Sequence, residues 1–573
     1  MERFRKASGR PASAWVTVPG MGRRALRLAG LCLLLSGGVA AAALSGSSNA
    51  ATSPTTTTTA TLGAVAPAAG TTLSTGSALV LTGHGWGHGL GLSQWGAYGY
   101  AKHGWTYDRI LAHYYVGTSL GTTSIASIRV LVAQEKSAKL SSAAAWTATD
   151  AAGTVVQLAA AAPLVLKPDL VVNGQTLVPP VTFRSTVPIA LDGKAYRGKL
   201  VVGLAAKQLQ IVDKLGLEAY VKGVVPMEMP SNWSPEAVKA QAVAARSYAL
   251  ANVTQGRAYD VYGDGRSQVY GGDAAEAPAS NAAVDATKAQ VLFYGAKIAD
   301  TMFSASSGGR TASAKETMGV DIPYLVSVAD PYDTLSPNHD WGPVLYDLAK
   351  VGKALNLPAA IDDVQVKTGT SPRAETLSLL LDDETTATVR GNTLRSVLGL
   401  RSTWFTPELL ALTSPKKPVA YGGAATLTGF AHGVTLPVTL EAKPTGGTWA
   451  PVATLTPAGD GALTATVSPQ LTTQYRLALG TLRVALAKVG VAPVLTVQQS
   501  ATGLGGTLQP LLAGSPVELQ QQSSGVWTTV SSTVTDASGA WSFGGQLSAG
   551  TYRVRCTPGH GFVAAVSQAL QVP

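Results

Sequence analysis

The strongest constraint on the fold is a self-similarity. LPVTLEAKPTGGTWAPVATLTPAGDGALTATV, from Leu436, recurs as SPVELQQQSSGVWTTVSSTVTDASGAWSFGG, from Ser515. Val438, Trp449 and Tyr475 correspond to Val517, Trp527 and Tyr552, at offsets of 79, 78 and 77 residues. A unit repeated at that spacing folds as one supersecondary module, and short alternating runs of Thr and Val between turn residues make the module all-β. Two small Ig-like β-sandwiches are expected, over residues 413–495 and 496–573, with the paired Trp and Tyr residues in their cores. Their expected job is spacing or adhesion.

The chain ahead of the repeat is long enough for a further large domain: it has 573 residues in all. Arg3, Arg5, Lys6, Arg10, Arg23, Arg24 and Arg27 precede the apolar run Leu28 to Leu44 and the small-residue pattern Ser48-Asn49-Ala50. Residues 1–50 therefore read as a secretory signal peptide, with a retained anchor as the weaker alternative because glycines dilute the run. Cleavage there lowers the net charge from +10 to +4, leaves Cys556 as the single cysteine and removes any intramolecular disulfide. A modestly basic exported chain suits an anionic cell envelope. No basic run points to nucleic acid, and no stable membrane span is expected after cleavage. Residues 51–76, charge-free and rich in Ala, Thr and Pro, read as a disordered linker.

Residues 77–407 are expected to form one α+β domain with a β-rich part and a helical part. From Ile128 to about Val212, runs such as IRVLVA and LQIVD alternate with turn residues, predicting strands. SPEAVKAQAVAARSYALAN, from Ser234, predicts a helix: Ser at the N-cap, Pro at the first position, then an Ala-rich continuation. Thr106 caps a second helix carrying Tyr107, Ile110, Leu111 and Tyr114 on one stripe, and a short one runs from Asn281 to Lys288. A chain ending near Phe405 is expected to fold without the sandwiches.

Two segments carry chemistry. GHGWGHGLGLSQWGAYGYAKHGWTYDRILAHYY, from Gly83, holds four of the seven histidines. Its glycines oppose a helix that would bring His84 and His88 to a metal, no cysteine is near, and GxGxGxG is not the dinucleotide spacing. Alternating glycines do let a chain run close against another surface. His88, Ser93 and Gln94 offer hydrogen bonds and Trp86 and Trp95 offer flat apolar faces, a mixture that suits a carbohydrate. In the second segment, LEAYVKGVVPMEMPSNWSPEAVKAQAVAARSYAL, Glu228 lies between two methionines. Apolar surroundings raise a carboxyl pKa, as a general acid near neutral pH requires; a cap, or an ion pair with Arg246, is the equal alternative. Lys239, Val243 and Arg246 share a helix face, which sets a cation along the same cleft.

Tyr196-Arg197-Gly198, LEAYVKGVVPMEMP, AQAVAARSYAL, QVYGG, VDATKAQVL, FSASSGGRT, PYLVSVADPYD and VRGNTLRSVLGLRSTWF, together with the GHG segment, resemble the SpoIID/LytB family of cell-wall proteins across roughly residues 80 to 407. The resemblance implies an exported protein acting on peptidoglycan glycan strands. One branch is known for lytic transglycosylase activity on strands stripped of peptides, the other for modifying a cell-wall amidase. By motif, Glu228 matches the catalytic acid, and Arg246, Gln268, Ser306 and Ser307 match substrate-cleft positions; no cofactor is implied. Cysteines and a histidine that precede QVYGG in some members are absent here, which removes the zinc expectation. The GHG segment usually follows STWF and here precedes everything, so the order looks circularly permuted. That order predicts that strand Ala78 to Thr82 pairs near residues 400 to 405 and that His88 and Gln94 face Glu228 across a groove. The glycines would then make room for a glycan, and Gly89→Val should damage activity more than folding.

Overall fold

A computed structural model describes residues 64–68, 70–253, 256–500 and 503–573. The expected signal peptide and the first part of the expected linker lie outside the described residues. The described chain is strand-rich with few helices, which is compatible with the expected α+β class, and it divides into two compact units. The first comprises residues 128–214 and 256–270. It holds a seven-stranded sheet whose strand order is 261–262, 127–135, 208–216, 199–205, 181–185, 146–149 and 155–158, alongside a four-stranded sheet built on strand 138–142. The alternating runs produce this: in Lys199–Ala205, Leu200 and Val202 are buried while their neighbours are half-exposed. Asp213 is fully buried and accepts from the Tyr270 hydroxyl at 3.0 Å. Burial pushes its pKa up to about 7.

The second unit takes the remaining described residues. The chemistry-bearing segments themselves form its helices α1 (Gln94–Lys102), α2 (Tyr107–Tyr114), α3 (Leu217–Glu228) and α4 (Pro235–Ala251). Helix α4 begins where Ser234 and Pro235 predict, although the Ser234 side chain makes no capping bond. Helix α3, absent from the sequence expectation, carries Pro226 inside its last turn and ends on Glu228.

Strand Ser77–His84 does meet strand Trp404–Thr413, antiparallel, with His84 opposite Trp404 and Thr82 opposite Thr406. The other edge of Ser77–His84 pairs with Asp340–Asp347. Strand 404–413 then continues outward to Ala425–His432 and Ala462–Val467 of the first repeat, making one five-stranded sheet. One face of that sheet buries Ala78, Val80, Leu410 and Leu412 with Leu427, Leu440, Leu477 and Val484. The expected boundary between 407 and 413 therefore falls inside a shared strand and a shared core, so a chain cut at Phe405 is not an independent unit. The linker expectation also stops short. Val65 N donates to Val397 O in helix Gly391–Leu398, Ala68 N to Leu345 O in strand Asp340–Asp347 and Leu73 N to Arg483 O in strand Leu482–Val489, so Val65, Ala68 and Leu73 are tied to the second unit.

The first repeat shares its core with strands 77–84 and 404–413, whereas the second has a core of its own. In the second, Leu504, Val517, Leu519, Trp541, Tyr552 and Val554 meet. Val438, Val517, Tyr475 and Tyr552 are buried as expected. Trp449 and Trp527 are not: both are half-exposed, each with an arginine laid over its ring.

Candidate functional site

The GHG segment is held against residues 302–308. Trp86 and Ser306 exchange two backbone hydrogen bonds, strand Leu92–Ser93 runs parallel to Phe303–Ser304, and Trp95 N donates to Ala305 O. This contact, rather than a glycan, accounts for the glycines. At Gly89, φ is +77° and an added Cβ would lie 2.4 Å from the Arg373 guanidinium carbon. At Gly91 (φ +63°) it would overlap the Met302 carbonyl oxygen. Arg373 is 3% exposed, and it donates to Ser307 O at 2.9 Å and Gly87 O at 3.4 Å.

Beneath the segment lies a buried carboxylate pair. Asp333 Oδ1 accepts from Ser93 Oγ (2.8 Å) and Ser307 N (3.0 Å); Oδ2 accepts from Ser306 Oγ (2.7 Å) and Gly308 N (2.9 Å) and faces His339 Nδ1 at 3.1 Å. Asp330 accepts from Ser307 Oγ (2.7 Å) and Tyr114 Oη (2.9 Å). Burial, reinforced by the Asp333 charge, pushes Asp330 up to about 7, while burial and Asp330 raise the Tyr114 phenol well above its ordinary value. Both carboxylates belong to VADPYD, which the sequence reading matched without assigning these residues; two acids three apart in an otherwise apolar, aromatic run were the available signal.

Several expected substrate residues are consumed by this framework. Ser306 and Ser307 are fully buried with their hydroxyls on Asp333 and Asp330. Gln94 is 5% exposed and donates to Gln241 Oε1 of α4 at 3.5 Å, so it joins two helices. Arg246 has no exposure at all. It forks onto Glu218 (2.6 and 3.1 Å) and donates to Gln290 O at 3.0 Å, anchoring α4 to α3; it neither pairs with Glu228 nor reaches solvent. Lys239 pairs with Glu236 at 2.7 Å and lies 5.8 Å from the Tyr107 ring centroid, while Glu236 accepts from Tyr107 N, so that group secures the start of α2. His88 is half-buried. Burial, then the Arg395 and Arg373 charges, push it down to about 3, so the neutral ring accepts from Leu90 N through Nδ1 at 2.9 Å. Gln268 is buried in the first unit.

Glu228 retains an accessible setting. It is half-buried at the C-terminus of α3, between Met227, 41% exposed, and Met229, which is buried. Gly271 N donates to Gly223 O and Gly271 packs on Met227, which docks the end of the QVYGG motif on α3. Five residues beyond Glu228, Trp233 stacks on Tyr98 with ring centroids 4.5 Å apart and planes 21° apart, and meets Trp95 at 4.6 Å. All three rings are half-exposed. The GHG segment and the loop that follows Glu228 thus share one aromatic wall. Of its members the sequence reading had named only Trp95, because Tyr98 and Trp233 come together through the α1–α4 packing and not through any local pattern. Among the described residues no three His, Cys, Asp or Glu side chains gather as a metal site would require.

Residues 205–294 match the family model described as Stage II sporulation protein. An uncharacterized protein of Brachyspira hyodysenteriae is 39% identical over 151 residues, covering 26% of this chain and 41% of that protein. The amidase enhancer of Bacillus subtilis is 34% identical over 158 residues, 27% of this chain and 22% of the relative. Stage II sporulation protein D of Bacillus amyloliquefaciens is 31% identical over 244 residues, 39% of this chain and 66% of the relative. The chain therefore spans less than half of the first two relatives.

Proposed function

The chain carries a SpoIID/LytB-family domain, and on that premise we propose that it is a secreted lytic transglycosylase of peptidoglycan with Glu228 as its acid and base. The observation that carries the reading is the Trp95–Tyr98–Trp233 wall five residues from the carboxyl. Aromatic faces take the apolar side of a sugar ring, while a half-buried carboxyl is both reachable and shielded. Glu228 protonates the glycosidic oxygen between N-acetylmuramic acid and N-acetylglucosamine. As a carboxylate it then takes the proton of the muramic C6 hydroxyl, which attacks C1 and closes a 1,6-anhydro ring. The substrate supplies the nucleophile, so one carboxyl serves where an ordinary glycosidase uses two. Ser306, Ser307, Gln94, Arg246 and Asp333 hold the walls and do not touch substrate.

The test is product analysis: purified protein on glycan strands should release fragments that end in anhydro-muramic acid. Likeness to an amidase enhancer favours a second reading, a glycan binder that modifies a cell-wall amidase. In that case no anhydro ends form, and a purified amidase is accelerated instead.

A further inference from the structure

The two repeats carry one surface feature twice. In the first, Arg476 lies 4.0 Å from the Trp449 ring centroid with its Nε bonded to Glu441 at 2.7 Å. In the second, Arg553 lies 4.4 Å from the Trp527 ring with its Nε bonded to Gln520 at 2.8 Å. The strand registers agree: Glu441 faces Arg476 as Gln520 faces Arg553. In both, the two terminal guanidinium nitrogens have no hydrogen-bond partner among the described residues. A second arginine and one glutamate complete each set, Arg483 with Glu441 and Arg555 with Glu518, so each carries one net positive charge. Three residues past each tryptophan an exposed valine follows, Val452 at 53% and Val530 at 50%. Around these positions the two modules have diverged widely (TWAPVATL against VWTTVSST), yet the Trp, Arg and Val remain in place.

Charge singles out the same region. Residues 413–573 hold eight Lys and Arg against four Asp and Glu, so the whole +4 of the chain beyond residue 50 lies in this tail. An anchored, unspent guanidinium fork matches a carboxylate, and the half-exposed indole that it partly covers offers its uncovered part as an apolar surface beside the fork.

We propose that Trp449–Arg476 and Trp527–Arg553 are two equivalent stations for one carboxylate-bearing polysaccharide strand. Each takes the carboxylate on the arginine fork and packs the sugar that carries it against the uncovered part of the indole. Under the proposed function that strand is peptidoglycan glycan with free lactyl carboxylates, and the inference rests on that reading for its choice of ligand. Two stations on one chain convert the second contact into an intramolecular event, so long strands bind far more tightly than short ones.

The test uses the full chain carrying Glu228→Gln, so that binding is read without turnover. Its probes are peptide-free glycan strands, long and short, and long strands whose carboxyls have been converted to neutral amides. The parent should bind long strands about a hundredfold more tightly than short ones. Arg476→Gln or Arg553→Gln alone should remove most of that length preference, and both together should match the parent's weak binding to neutral strands. Trp449→Phe with Trp527→Phe, which keeps a ring, should lose less than the matching alanine pair, and circular dichroism reports whether each variant folds. Equal binding by the parent and the double arginine variant, or undiminished binding to neutral strands, overturns the proposal. Failure of the catalytic reading shows separately, as the absence of anhydro ends from the wild-type chain.

Discussion

Asp333→Asn probes the framework at its most connected atom pair. Asp333 accepts four hydrogen bonds, two of them from the backbone nitrogens of Ser307 and Gly308, one on each carboxylate oxygen. An asparagine keeps one oxygen, so whichever way it turns, its amide group faces one of those N–H donors and leaves it unbonded. An orphaned buried donor costs about 1–3 kcal/mol, and the remaining bonds each lose about 1 kcal/mol with the charge. Relief of the repulsion with Asp330 returns about 1 kcal/mol. The net loss is about 3–5 kcal/mol, concentrated where residues 303–308 meet the GHG segment. Hydrogen exchange read by mass spectrometry on peptides covering Ser307 and Gly308 should therefore quicken by about a hundredfold or more. Peptides of the second repeat, Ser515 to Pro573, should be unchanged. Protection within about threefold of wild type would refute the claim that Asp333 holds the two walls together.

Asp330 makes stability depend on pH with a definite sign. Its folded pKa, about 7, exceeds the unfolded 3.8, so its contribution is full below about pH 4 and is lost as pH rises through 7, by up to about 4 kcal/mol. Asp330→Asn should flatten that fall between urea midpoints taken at pH 5 and pH 8; an unchanged slope would show that another group carries it. Gly89→Val should lower the folded fraction as well as activity, because the side chain meets Arg373 at positive φ, and a fully folded, inactive variant would restore the glycan explanation of that glycine. A chain ending at Phe405 should lose protection in strand Ser77–His84, since its partner strand and the shared core are gone; native-like exchange there would contradict the continuous sheet.

What the sequence made legible follows from how local each signal is. Helix α4 announces itself through Ser234, Pro235 and an Ala-rich run, and segment order foretold the return of Ala78–Thr82 to the strand that follows STWF, although its partners are Thr406–Leu410 and not residues 400 to 405. The cause of the glycines could not be read. A missing Cβ reports that something lies close, and only the fold tells whether it is a ligand or, as here, Arg373 and the Met302 carbonyl. Ser306, Ser307, Gln94 and Arg246 carry polar groups suited to a substrate, yet their partners Asp333, Asp330, Gln241 and Glu218 come from distant segments that no spacing connects. The repeat's pairing of Trp449 with Trp527 placed both in the cores, and instead an arginine two strands away lies over each ring. The expected boundary between residues 407 and 413 falls within a strand whose ladder continues across it.

The central claim is that Glu228 performs the proton transfers beside the Trp95–Tyr98–Trp233 wall. It is tested most directly by comparing wild type and Glu228→Gln on peptide-free glycan strands, with anhydro-muramic ends counted by mass spectrometry against time. The amide preserves shape and cannot ionise, so the rate should fall by about a hundredfold or more while circular dichroism stays unchanged. Anhydro ends released by the variant at the wild-type rate would contradict the account.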